Sequence, residues 1–327
     1  IYSDHVSDNL NGMAAFSSRG PVLDGRYKPD IVAPGTNILS TRSSVASGSL
    51  WGWYNSNYVW SGGTSMSTPL TAGAAALMRE YLIKEKGISS PSAALIKAAL
   101  LNSAKDITPG QYGTGSYQEI PNPPVPNNVE GWGRLDLANC VYPSSPFEIL
   151  YFDLKGQNSL STGEFDEYTV NVDDPSKPLK VNLVWTDYPG SPAANGGLVN
   201  DLDLKVTDPS SNIHYPDHAL PNPSNFDRVN NVVGLTLSNP STGTYTVRVA
   251  AYNVPSGPQP YALVVSGDIS MAEGIFQDVP SGHWAYEAIY KIYNADITQG
   301  CSQNPLKFCP DVVTNREQMA VFLGRGI

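Results

Sequence analysis

A serine set among small, flexible residues is the part of this chain best suited to covalent chemistry. Ser65 stands in Gly62-Gly63-Thr64-Ser65-Met66-Ser67-Thr68-Pro69, and from Pro69 to Met78 the residues are small or apolar. The glycines leave an open approach, the Ser/Thr cluster suits a helix start, and a first helical turn tolerates proline, here Pro69. The run that follows predicts a helix buried on nearly every side. A serine at the mouth of such a helix lies beside unpaired backbone N–H groups. It therefore joins an accessible hydroxyl to a donor for a developing oxyanion. Read without its neighbours, the stretch is equally a Ser/Thr-capped core helix.

Other residues carry binding chemistry. Asn200, Asp201 and Asp203 bring hard oxygen donors together at a strand entry, and Asp187, Asp227, Asn230 and Asn231 lie in other loops of the same region. Calcium takes such oxygens, while loop Asp and Asn also cap their own turns. His214 and His218 are four apart in a proline-rich loop, which reads as solvated histidines rather than a zinc site. Cys301 and Cys309 are predicted to close a small disulfide loop, which implies an oxidising compartment, and Cys140 is left single.

The wording around Ser65 goes further. Gly63-Thr64-Ser65-Met66-Ser67-Thr68-Pro69 closely resembles the nucleophile signature of subtilisin-like serine proteases. Phe16-Ser17-Ser18-Arg19-Gly20-Pro21 and Lys28-Pro29-Asp30-Ile31-Val32-Ala33-Pro34-Gly35 resemble two further signatures of that family, in its order and spacing. Gly131-Trp132-Gly133-Arg134-Leu135 resembles its closing strand segment. The resemblance covers residues 1–142. It implies an α/β peptidase domain in which Ser65 is the nucleophile and its own N–H an oxyanion donor. The family's Asp, His and oxyanion Asn have no counterpart in the fifteen residues before Phe16, where His5 reads as a surface-loop residue. The expectation is therefore the C-terminal part of such a domain, inactive alone.

These residues need elements to position them. Ile31–Ala33 and Ile38–Ser40 read as short strands. The aromatic segment 51–60 either walls a substrate cleft or packs locally. The serine helix ends in a polar stretch over 79–86, closed by Gly87. A second helix is predicted over 91–104, opened by Ser90, and residues 111–128 read as a surface loop. Beyond a composition change at 142–146, short alternating strands fill 147–268, at the spacing of an all-β sandwich. Val184-Trp185-Thr186-Asp187, Leu198 to Leu204 and Tyr252-Asn253-Val254-Pro255 are similar to the jelly-roll domain that follows the catalytic domain in some alkaline subtilases. That similarity implies calcium, with the Asp and Asn residues above as ligands.

Residues 273–327 resemble one S-layer-homology module, through Phe276 to Pro280, His283-Trp284-Ala285, Ile297-Thr298-Gln299-Gly300, Phe308-Cys309-Pro310 and Thr314 to Leu323. The resemblance implies a small, mainly α unit that binds cell-surface polysaccharide through Asp278, Trp284, Thr298, Gly300 and Arg316. Thr314 and Glu317 are expected to form a capping box. Gln299 stands where that family carries a basic residue, and a single module lacks the avidity of several.

The whole chain fits this division. Its 327 residues suggest two or three domains, and 29 Gly and 27 Pro indicate many turns. A net charge of −10 argues against nucleic acid, and no apolar run is long enough for a transmembrane helix. The expected fold is multidomain: the end of an α/β subtilisin-like domain over 1–142, a jelly-roll sandwich over 146–268 and the small module over 273–327. The expected function is that of a secreted, cell-surface-associated serine endopeptidase acting on protein substrates. The alternative is a non-catalytic glycan-binding or adhesive protein built on a protease scaffold.

Overall fold

The computed structural model describes residues 9–326 apart from 46, 49, 121–124, 145–146, 192–196, 218–225, 272–275, 277, 280–284, 286–287, 290–291, 294–296 and 304–305. His5, His218 and Trp284 thus lie outside the described residues. The chain forms two compact units, Ile1–Leu77 with Ser103–Cys140, and Met78–Asn102 with Val141–Ile327.

The first unit has little regular structure. Strands β1 (Ile38–Thr41), β2 (Gly52–Trp53) and β3 (Tyr58–Ser61) form an antiparallel sheet in the order β1-β3-β2. Asn55 shapes the β2–β3 turn, its Oδ1 accepting the Asn57 and Tyr58 N–H groups. The expected strand at Ile31–Ala33 shrinks to one parallel bridge between Val32 and Arg134. A small core of Met13, Ile107, Ile120 and Val129 packs against Val32. The stretch expected as a surface loop dives inward at its end. Glu119 and Ile120 are buried, their N–H groups both bonded to the Pro109 carbonyl. Beside them the buried Glu130 carboxylate accepts from Ile107 N (3.0 Å), Thr108 Oγ1 (2.8 Å) and Asn127 Nδ2 (3.1 Å). Burial nevertheless raises its pKa, the donors only opposing the shift.

Helix α1 (Thr64–Lys84) is 21 residues long, and the division between the units falls within it. It is not the fully buried helix its composition predicts. Ala74, Met78 and Leu82 are buried, whereas Thr68, Pro69, Leu70, Ala72, Gly73, Ala76 and Leu77 are exposed. No described residue of the first unit covers that face. At the far end Gly87, at φ 71°, lets Ile88 N reach the Leu82 carbonyl, the left-handed cap glycine allows.

The second unit is dominated by a sandwich. One sheet has the order β12-β5-β10-β7-β8, from Ile269–Met271, Phe165–Val172, Gly243–Asn253, Asp201–Thr207 and Ile213–His214. The other has the order β4-β11-β6-β9, from Glu148–Leu154, Tyr261–Gly267, Leu179–Val184 and Val232–Leu237. Inward residues such as Val170, Val247, Leu204, Val181 and Leu263 are fully buried. Within this core Tyr168 and Tyr261 share a 2.6 Å hydroxyl contact, and Tyr261 reaches Asp166 at 2.5 Å. Strand β11 lacks alternation and is buried throughout, because α2 (Ala93–Asn102) packs on the outer side of its sheet and both faces must be apolar. That helix is capped by Ser92, whose Oγ accepts Leu95 N at 3.0 Å, and not by Ser90.

Toward the C-terminus, Phe276, Val279 and Ile289 form a separate small core with Phe308 and Tyr293. A two-residue hairpin, β13 (Ser302–Gln303) with β14 (Leu306–Lys307), lies within the loop closed by the Cys301–Cys309 disulfide. After the short helix α3 (Leu137–Val141), helix α4 (Arg316–Gly326) begins one residue later than the expected capping box requires. The reciprocal pair is Asn315 with Gln318, at 2.8 and 2.9 Å, in place of Thr314 with Glu317.

Candidate active site

Ser65 is the second residue of α1 and is exposed. Among the described residues nothing hydrogen-bonds its hydroxyl. Because the helix starts at Thr64, Pro69 lies beyond its first turn, correcting the expected position. Proline has no N–H, so the Ser65 carbonyl loses its i+4 partner. Met66 N donates to the Gly63 carbonyl at 3.0 Å, and the first turn holds no acidic residue, so no carboxylate of that turn offsets the positive end of the helix dipole beside Ser65.

Glycine contacts set the pose of this helix start. Gly63 has φ 146°, which an L side chain rarely adopts. Its N–H donates to the Gly35 carbonyl at 2.7 Å, and Ser67 Oγ donates to the Ala33 carbonyl at 2.9 Å. A Cβ on Gly35 would strike Ser67 Oγ and the Gly63 carbonyl. One step back, Trp132 N donates to Asp30 O (3.0 Å), Val32 N to Gly133 O (3.0 Å) and Leu135 N to Val32 O (2.8 Å). Gly131, at φ 63°, approaches the Pro29 and Asp30 carbonyls so closely that a Cβ would overlap both. Gly20 N bonds Asn128 O at 2.9 Å, and a Cβ there would meet the Lys28 carbonyl. The sequence segments singled out around Gly20, Lys28–Gly35, Gly63–Pro69 and Gly131–Leu135 thus form one backbone-to-backbone lattice ending at Ser65.

A cleft of about 780 Å³ runs beside this helix start, with Thr64, Ser67, Ala72 and Ala75 on one side and Met13, Ile31 and Val32 on the other. The described residues of this unit include no histidine. Among the described residues of this unit, Ser65 thus has no imidazole beside it.

Residues 6–133 match the subtilase family (peptidase S8). The sequence is 31% identical over 318 residues to the serine protease/ABC transporter B family protein tagD of Dictyostelium discoideum, covering 80% of this chain and 17% of that protein. Serine protease AprX of Bacillus subtilis is 40% identical over 120 residues, 34% of this chain and 25% of its own length. The minor extracellular protease Vpr of the same organism is 34% identical over 134 residues, 41% of this chain and 14% of that protein. The chain thus spans about a sixth of the length of tagD. Ser65 and the glycine lattice fall inside the subtilase segment.

The seven oxygen-donor residues of the sandwich separate into three settings. The Asp187 carboxylate accepts the Tyr188, Val199 and Asn200 N–H groups at 2.8–2.9 Å, tying two loops. Asn200 bridges Ser256 and Gln259, and Asn231 Nδ2 donates to the Trp185 carbonyl. Asp227 caps its own turn through Val229 N and Asn230 N, and accepts from Asn230 Nδ2. Asp201 and Asp203 share Arg228, which forks onto Asp203 and reaches Asp201 Oδ2 at 3.2 Å. Its guanidinium also stacks on Tyr252 at 3.6 Å. Arg228 escaped the sequence reading, although Asp227-Arg228 beside an acidic strand was a usable signal. The other oxygen of Asp201, Oδ1, is buried with no hydrogen-bond partner among the described residues. Burial, then the neighbouring Asp203 and Asp227, push the Asp201 pKa up to about 6 against the opposing pull of Arg228. An unpartnered buried carboxylate oxygen fits a hard cation.

In the C-terminal segment Asp278 is engaged by its own fold, its oxygens accepting Phe308 N (2.8 Å) and Cys309 N (2.7 Å). Thr298 Oγ1 accepts Gly300 N at 3.2 Å, Gly300 lies against Phe276, and Arg316 is exposed at the start of α4. Cys140 is buried, and burial pushes its thiol up to about 11. No described helix is long and apolar enough to cross a membrane.

Proposed function

We propose that Ser65 is the nucleophile of a subtilisin-like serine endopeptidase that cleaves protein substrates. The observation that carries this reading is an exposed, unbonded serine hydroxyl at the start of a long helix whose pose the Gly35–Gly63 and Ser67–Ala33 bonds hold. Ser65 Oγ attacks the peptide carbonyl while its own N–H stabilises the oxyanion. The Oγ proton passes to a histidine base and from there to the leaving amine, and a carboxylate orients that histidine. A serine without such a base is a weak nucleophile at neutral pH. On this reading the described residues are inert alone and become reactive when a base is supplied.

Chemical rescue tests it. The chain is treated with a fluorophosphonate probe with and without added imidazole, beside a Ser65→Ala control. Labelling is expected only with imidazole and only in the parent protein. Equal labelling of the control, or none with imidazole, overturns the assignment. Labelling without imidazole would mean that a base is already present in these 327 residues.

Export to an oxidising, extracellular setting is supported by the Cys301–Cys309 disulfide and by the extracellular relative Vpr. Calcium is proposed at Asp201 because the orphaned Oδ1 is the kind of donor the ion takes, while Asp203 is engaged by Arg228 and Asp227 by its own turn. Thermal unfolding in calcium and in chelator checks this, and an unchanged midpoint would remove the ion.

A further inference from the structure

The hairpin leading into the nucleophile turn carries an aromatic strip that the hydrolytic step leaves unused. Trp51 N donates to the Trp60 carbonyl at 3.1 Å, and β2 pairs with β3 through Gly52 with Trp60 and Trp53 with Val59. The Trp51 indole lies directly over Gly62, where any Cβ would overlap its ring atoms. Phe16 meets the same indole edge-on, with centroids 6.4 Å apart at 77°. The ring is thus held from two sides and still 39% exposed. Trp53 (51%) extends the strip, with Arg42 stacked on it at 3.8 Å, whereas Tyr54 (60%) and Tyr58 (42%) belong to the other face of the hairpin, where Tyr54 meets Trp60 edge-on.

Position decides what such a strip can take. Gly62 precedes Ser65 by three residues, and Cα steps of about 3.8 Å put the two no more than about 11 Å apart. An extended peptide advances about 3.3 Å per residue. A side chain resting on Trp51 therefore belongs to a residue within about three positions of the bond at Ser65. A fixed, half-exposed indole is a flat apolar platform that binds aromatic or branched aliphatic groups with little loss of its own freedom. Glycine at position 62 has a physical reason as well, since any side chain there would push the platform aside.

We propose that Trp51 is the floor of a side-chain subsite for polypeptides bearing a bulky apolar or aromatic residue close to the scissile bond. The proposal rests on Ser65 as nucleophile, and it names the substrate class that the nucleophile meets.

The test uses the chain labelled with 5-fluorotryptophan and read by fluorine NMR. The Trp51 resonance is identified by its loss in Trp51→Phe. Two capped octapeptides are titrated, identical except for a central Phe or Gly. Saturable movement of the Trp51 resonance is expected with the Phe peptide, with binding about tenfold weaker for the Gly peptide. Gly62→Ala, which displaces the indole without removing it, should weaken the Phe peptide similarly. Unmoved Trp132 and Trp185 resonances would show that both variants remain folded. Equal response to the two peptides, movement of Trp53 alone, or a Trp51 shift that follows protein concentration without peptide would overturn the subsite. The outcome is separable from the nucleophile assignment. Discrimination at Trp51 supports the subsite whether or not imidazole rescues labelling, and failed rescue counts against Ser65 alone.

Discussion

The sandwich closes its inner faces against each other, with Trp185, Tyr245, Leu183 and Leu204 almost wholly buried. The unit that carries Ser65 has only a small cluster around Met13 and Ile120, and it leaves Leu70 and Leu77 of α1 exposed. Its order comes instead from glycine backbones touching carbonyls at Gly20, Gly35, Gly63 and Gly131. The two designs fail differently. A side-chain core loses stability with buried volume, whereas a glycine lattice fails wherever a Cβ is added, however small.

Predictions that break or sharpen this contrast follow in order of size. Trp185→Ala empties the centre of the sandwich and orphans the Asn200 carbonyl, which accepts its Nε1 at 3.0 Å. It should cost about 3–5 kcal/mol in denaturant unfolding. Gly131→Ala forces a Cβ onto the Pro29 and Asp30 carbonyls at a positive φ. A loss of about 2 kcal/mol is expected, confined to amide exchange in the Ser65 unit. If the sandwich amides changed equally, the contrast between the units would be wrong. Ser92→Ala removes the α2 cap and should cost about 1 kcal/mol, with Thr at that position restoring most of it.

A smaller effect is the pH dependence set by Asp201. Its folded pKa, about 6, lies above the ordinary carboxylate value of 3.8. The folded state therefore holds this proton more tightly than the unfolded chain does. The contribution is fully present below the ordinary value and is lost as pH rises through about 6. Asp201→Asn should flatten that part of the stability profile. Calcium should do the same, because a bound cation favours the ionised carboxylate.

How far the sequence was readable differed between the units for the same reason. The sandwich declared itself through alternation in β5, β7 and β10, where one face is wet. Strand β11 did not, since helix α2 makes the other face of its sheet apolar too. In the Ser65 unit the glycine motifs were legible because each answers a local steric demand, positive φ or close approach. The extent of burial was not. The run from Pro69 to Met78 predicted a fully buried helix, but exposure depends on what packs above it, and no residue within the run encodes that. Cap positions missed by a residue or two, Ser92 for Ser90 and Asn315 with Gln318 for Thr314 with Glu317. Neighbouring Ser, Thr and Asn all can cap, and packing chooses where the helix begins.

The sequence by itself determined the serine at a helix start, the glycines around it, the alternation of the sandwich and the cysteine pair, because each is a property of a few adjacent residues. Only the tertiary structure decided that Gly35 and Ala33 hold the nucleophile turn. It also decided that the Trp51 indole lies over Gly62 and that Arg228 fills the acidic cluster while one Asp201 oxygen stays unpartnered. Those relations join residues distant along the chain, and the competition among donors, cations and buried carboxylates is settled by which groups packing brings within a few ångströms.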